Sequence, residues 1–143
     1  MFMQAAVQLV KNVQNVFKGK SPKGLLAYIA ETPNYMGKQL TLNLSSLDSL
    51  EEALKANALY AIGYAAQMLA KKEPKVSQEE KISKHFQVDL VRAARAHAIY
   101  MVAMFFKRRI ERITIKDKNV RKHLETLCNI YMCNQILVIT SHK

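Results

Sequence analysis

The chain has 143 residues, half of them hydrophobic and 23% charged, and its 22 Lys+Arg against 11 Asp+Glu give a formal charge of +11. That length supports one domain able to bury about 68–70% of the surface its unfolded form exposes, and that composition excludes intrinsic disorder. The positive excess suits an acidic partner (nucleic acid, anionic lipid, a phosphorylated ligand or an acidic protein face) without choosing among them.

Only four glycines and three prolines interrupt the chain, which favours long helices over many short strands. The longest apolar run, Ala98 to Phe106, is far short of the roughly 20 residues a bilayer span requires. No charged leader with a cleavage site opens the sequence, and its last residues, Ser141, His142 and Lys143, are not the Ser-Lys-Leu peroxisomal address.

In chain order, Phe2, Ala6, Leu9, Val10, Val13 and Phe17 fall at three- and four-residue steps and predict an amphipathic helix over 2–17. Lys18, Gly19, Lys20, Ser21 and Pro22 end it. GLLAYIAET reads as a short helix, and Pro33, Asn34 and Gly37 mark a loop. KQLTLNL alternates like a strand but has no partner strand, so it reads as an extended connector.

A second long helix starts in SLDSLEEALK. Ser49 and Glu52 fit a capping box, and Glu51 with Lys55 a favourable i,i+4 pair. Its apolar stripe is Leu50, Leu54, Ala58, Ala61, Ala65, Met68 and Leu69, with Gly63 as either a contact point for a neighbouring helix or a plain cost of about 1 kcal/mol. Pro74 ends it near Lys72, and KKEPKVSQEEKISK follows as a charged loop or frayed helix start.

The third long helix, about 86–113, contains DLVRAARAHAIYMVAMFFKRRIERI. Residues 93–106 are interrupted only by Arg95 and His97. A helix apolar nearly all round is buried, either by neighbours within the chain or by something outside it. His97 shares a face with Leu90, Ala94, Met101 and Met104, and no second ligand stands at the neighbouring positions of that face. It therefore reads as a core histidine bonded to a carbonyl or a side chain, not as a metal ligand or acid-base catalyst. The fourth helix follows ITIKDKN, capped by Asp117 or Asn119 and running to about Ile139. Its stripe is Val120, Leu124, Leu127, Cys128, Tyr131 and Leu137.

Between these two helices gather Lys107, Arg108, Arg109, Arg112, Lys116, Lys118, Arg121 and Lys122, against Glu111 and Asp117. Cations at a helix C-terminus complement its dipole. The rest form a solvated tip that lacks the interleaved aromatics of a nucleic-acid module. Cys128 and Cys133, five residues apart on one helix, have Cα atoms about 8.7 Å apart, too far for a disulfide; both are expected as reduced thiols in a reducing compartment, at least one of them packed. No phosphate-binding glycine loop, zinc motif or Ser-His-Asp set is present. The fold expected is all-α: one helical domain over 1–143, a bundle of about four main helices with an irregular connector, with no catalytic, cofactor-binding or metal-binding residue assigned.

The order of several blocks adds to this. MFMQAAVQLVKNVQNVFKGK, GLLAYIAE, SLEEALKANALYAIGYAAQMLAKK, VDLVRAARAHAIYMV and VRKHLETLCNIYMCNQI together resemble the C-terminal helical region of peroxisomal acyl-CoA oxidases. The most specific are Asp89-Leu90-Val91-Arg92-Ala93 with Ala96-His97, then Leu124-Glu125-Thr126-Leu127-Cys128 with Tyr131, and Lys18-Gly19-Lys20 with Gly24 and Tyr28. The resemblance implies a helical piece of a larger FAD enzyme that converts acyl-CoA to trans-2-enoyl-CoA and passes electrons to O₂, forming hydrogen peroxide. It implies the rest of an oxidase chain and a second subunit of a homodimer as partners, acyl-CoA as substrate of the full enzyme, and peroxisomal location. The family's catalytic glutamate has no counterpart at any position here, so the piece alone is expected to be inactive, to bind no FAD, and to be cytoplasmic if made as it stands. The chain departs from the family where a Trp-Asn pair commonly precedes the Asp-Leu-Val block, Ser83-Lys84 standing nearby, and at Asn57, where a basic residue is common. Two other readings remain: a basic helical module for nucleic acid or another polyanion, and peripheral membrane attachment through the first helix, which lacks a strongly basic polar face.

Overall fold

A computed structural model describes residues 2–70, 77, 87–114 and 116–141. Among these, four long helices carry the fold: α1 (Phe2–Phe17), α3 (Leu47–Ala70), α4 (Gln87–Arg112) and α5 (Lys118–Ser141). A 3-10 helix, Gly24–Glu31, and the one-turn α2, Thr32–Tyr35, lie between α1 and α3. The described residues contain no strand, and 39–46, which includes most of the alternating KQLTLNL, is an irregular connector. The charged linker, apart from Ser77, and the Ser83-Lys84 departure lie outside the described residues.

Local chemistry accounts for the ends of these helices. At the end of α1, Gly19 takes φ +83°, the left-handed region glycine enters without a Cβ clash. Its N–H donates to the Val16 carbonyl at 3.0 Å, and the Lys20 N–H to the Asn15 carbonyl at 2.9 Å. These two bonds form a Schellman cap that satisfies carbonyls the helix leaves open. The start of α3 differs from the sequence reading. Ser46, not Ser49, caps it: the Ser46 hydroxyl accepts the Ser49 N–H at 3.3 Å. Ser49 lies inside the first turn, and its hydroxyl accepts the Asn43 N–H at 2.9 Å, pinning the connector to the helix. At α5, Asp117 is the cap, its carboxylate accepting the Asn119 N–H at 2.8 Å. Pro33, read as part of a loop, sits in the first turn of α2, where its missing N–H costs nothing.

The described chain forms two compact units, with α3 and α4 contributing to both. The first takes in residues up to Lys38 and Asn57–His97. Here α1 packs on the 3-10 helix, and Ala6, Leu9, Val10, Val13 and Ile29 are buried with the alanine-rich stretch Ala58, Ala61, Ala65 and Ala66. The second comprises Gln39–Ala56 and Ala98–Lys143, with Leu50, Leu54, Met101, Met104, Cys128 and Met132 buried. Gly63 resolves to the plain cost: a Cβ built there meets nothing within 4 Å.

Candidate functional site

His97, in the apolar run of α4, is half-buried and bonded to a side chain. The Tyr28 hydroxyl lies 2.6 Å from its Nδ1. The two rings are nearly parallel, 6° apart, with centroids 5.7 Å apart. Burial holds the imidazole below its ordinary pKa. The ring is therefore neutral near pH 7 and shares one hydrogen bond with the Tyr28 hydroxyl, whose direction is set by the imidazole tautomer. Sequence reading found the histidine and its character but not its partner, because 69 residues separate the two and no local pattern links them. Among the described residues no group of three or more His, Cys, Asp or Glu is placed to hold a metal ion.

The basic cluster of the α4–α5 turn divides into cations that serve the protein and cations that face solvent. Lys107 is half-buried. Its ammonium donates to Glu51 at 2.7 Å, pairs with Asp48, and stands 3.8 Å from Glu111. Burial disfavours its charge, but the hydrogen bonds and field of Asp48 and Glu51 outweigh that and raise its pKa above the ordinary lysine value. Glu51, read on its own helix as an i,i+4 partner of Lys55, also reaches Lys107 on α4. Arg121 donates one guanidinium nitrogen to the Ile110 carbonyl and the other to that of Ile113, both at 2.8 Å. It closes the C-terminus of α4, where carbonyls have no helical partner and the dipole favours a cation. Arg108, Arg109, Arg112, Lys116, Lys118 and Lys122 are exposed.

The two thiols behave as their spacing requires. Cys128 and Cys133 are both free, Cys128 buried and Cys133 half-buried. Burial raises the Cys128 pKa, which keeps it protonated and unreactive.

The apolar surplus of α4 and α5 is partly on the surface. On α4, Val102 and Phe105 are about half exposed, so among the described residues this helix is not covered all round. On α5 the single stripe read from the sequence is two faces. Cys128 and Met132 are buried, whereas Val120, Leu127, Ile130 and Leu137 are 48%, 55%, 57% and 66% exposed.

This ordered set of helices has known relatives. The sequence model of the acyl-CoA oxidase family matches residues 46–141. The chain belongs to the acyl-CoA oxidase family. It is 30% identical over 138 residues to human peroxisomal acyl-coenzyme A oxidase 1, a match covering 92% of this chain and 21% of the human protein. It is 32% identical over 133 residues to peroxisomal acyl-coenzyme A oxidase 1 of Arabidopsis thaliana, covering 90% and 19%. Among solved structures, Arabidopsis thaliana acyl-CoA oxidase 1 superposes with a TM-score of 0.81 at 29% identity over 95% of this chain and 21% of that one. An acyl-CoA oxidase from tomato gives 0.80 at 28% identity, over 92% and 20%. The chain thus spans about a fifth of the length of these relatives, and it corresponds to a part of a larger oxidase. No helix among the described residues is long and apolar enough to cross a membrane.

Proposed function

We propose that this chain is the C-terminal helical part of an FAD-dependent acyl-CoA oxidase of fatty-acid β-oxidation, acting as scaffold and subunit contact and not as the seat of chemistry. The full reaction would convert acyl-CoA and O₂ to trans-2-enoyl-CoA and hydrogen peroxide. The partners would be the remainder of an oxidase chain and a second subunit, in the peroxisome, where the relatives' names place them. One observation carries this reading: 92% of this chain aligns with only 21% of the human relative, so that most of the relative has no equivalent here.

The residues at hand support a structural role. The groups best suited to chemistry are already engaged: His97 with Tyr28, Lys107 with Asp48 and Glu51, Arg121 with the end of α4. Among the described residues no buried side-chain nitrogen or oxygen is left without a partner. No catalytic step is assigned to these residues. The uncovered apolar side chains of α4 and α5 suit surfaces that lie against protein.

A chimera tests the reading. This chain would replace the matching region of Arabidopsis thaliana acyl-CoA oxidase 1, and flavin retention and peroxide release on acyl-CoA would be measured. The expected result is a folded flavoprotein that turns over. A folded chimera that holds FAD yet is inactive, or a folded one that loses its flavin, would refute it.

A further inference from the structure

The sequence contains two pairs in which a hydroxyl residue precedes proline, Ser21-Pro22 and Thr32-Pro33, and the fold treats them in opposite ways. Thr32 is 4% exposed, its backbone is helical at φ −48° and ψ −47°, and its hydroxyl donates to the Ile29 carbonyl at 2.6 Å. Ser21 lies on the bridge between the Schellman cap of α1 and the 3-10 helix. Residues 20–23 carry neither helix nor turn, and Lys20, Ser21 and Lys23 are exposed. Among the described residues the Ser21 hydroxyl holds no hydrogen-bond partner. Pro22 disfavours helical backbone at Ser21, and Lys23 beyond it is extended at φ −119° and ψ 163°. Both ends of the bridge are anchored, because the 3-10 helix packs on α1. The bridge thus presents an open hydroxyl on a stretched, solvated strand held against a folded body.

We propose that Ser21 is a phosphorylation site for a proline-directed serine/threonine kinase. The step is phosphoryl transfer from a nucleoside triphosphate. Ser21 Oγ bonds to the γ-phosphorus, the bond from that phosphorus to the β,γ-bridging oxygen breaks, and the nucleoside diphosphate leaves. The hydroxyl proton passes to the kinase's catalytic aspartate. Proline selects the class of kinase. A cleft that pairs with the N–H of the residue after the acceptor cannot take Pro22, which has none, whereas a pocket shaped for the ring gains from its fixed φ. The same pocket cannot use Thr32-Pro33, because the acceptor oxygen there is buried and already bonded within a helical turn. The loop also accommodates the product. A phosphoserine carries about −1.5 to −2 charges at pH 7, and no acidic residue precedes Glu31 in the sequence to repel it. Lys18, Lys20 and Lys23 flank it on both sides. Just beyond, the 3-10 helix starts at Gly24 without a side-chain cap from Lys23, and a helix start favours a phosphate. The inference rests on residues 18–32 and is independent of the proposed function.

The whole chain, incubated with ATP, Mg²⁺ and either a cyclin-dependent or a mitogen-activated protein kinase, tests this, with the modified residues mapped by mass spectrometry. Phosphate on Ser21 is expected, with none on Thr32 and with circular dichroism unchanged after modification. Ser21→Ala should remove that phosphate without shifting uptake to Thr32. Pro22→Ala should slow uptake at Ser21 at least about 10-fold, the loss of one shaped contact in a pocket. Pro33→Ala, in the first turn of α2, should leave the rate at Ser21 unchanged. No uptake with either kinase, a rate indifferent to Pro22→Ala, phosphate on Thr32 at a comparable level, or loss of helical signal on modification would each overturn the proposal. None of these outcomes bears on flavin retention or turnover in the chimera, so the two readings fail separately.

Discussion

Replacing Lys107 by Met is expected to destabilise the chain by about 2–3 kcal/mol. The size follows from what the ammonium holds. The Glu51 side chain is only 20% exposed and Lys107 itself 17%. Losing a hydrogen bond between charged groups in such a place costs about 1.5–3 kcal/mol, because the carboxylate stays covered without its partner. The Asp48 side chain is 84% exposed, so solvent screens it and its share is under about 0.5 kcal/mol. Glu111, 60% exposed and 3.8 Å away, adds less. Urea unfolding of wild type, Lys107→Met, Glu51→Gln and the double variant gives the coupling directly. Lys107→Met combined with Glu51→Leu should recover most of the loss, since both buried charges are then gone. The pH dependence has a definite sign. The folded-state pKa of Lys107 is raised above the unfolded value, so the pair's contribution is complete below about pH 10.4 and is lost as pH rises through the folded-state pKa. The difference between wild type and Lys107→Met should therefore shrink as pH climbs above about 10.5. A cost below about 0.5 kcal/mol at pH 7, or a Glu51 coupling no larger than that of Asp48, would refute the reasoning.

Other outcomes follow from the same structure. Gly63→Ala should stabilise the chain by about 1 kcal/mol in thermal or urea unfolding, since the added Cβ meets nothing within 4 Å. Arg121→Gln should cost about 1.5–3 kcal/mol by leaving the Ile110 and Ile113 carbonyls at the end of α4 without their charged donor, with the loss read in urea melts. The folded-state pKa of His97 is depressed by burial, so its contribution is present above about pH 6.5 and lost as pH falls through the folded-state value; His97→Gln should flatten that part of the acid-side stability curve. Under native conditions a thiol reagent should label Cys133 well before Cys128, and both at similar rates in urea.

The sequence carried those features that arise within one helix or its caps. The periodicity of α1, α3, α4 and α5 marked each helix to within a few residues. Gly19 marked the end of α1 because only a residue free of Cβ strain turns there readily. Where neighbouring serines stand at a helix start, spacing misleads: the capping-box pattern pointed to Ser49, whereas the fold uses Ser46 to cap α3 and Ser49 to hold the connector. Pairings between distant residues were not legible. Tyr28 with His97, and Lys107 with Glu51, depend on which helices meet, and a single sequence does not encode that locally. The two faces of α5 were merged for a related reason. Val120, Leu124, Leu127, Cys128 and Tyr131 all satisfy helical spacing, and only packing separates the buried residues from those left outside.

The claim on which the account turns is that the chemistry lies outside these residues. The direct measurement is peroxide release from acyl-CoA and O₂ by this chain alone with FAD added, alongside a titration of flavin fluorescence. The account predicts no turnover and no flavin bound; hydrogen peroxide formed at a rate proportional to the concentration of this chain would contradict it.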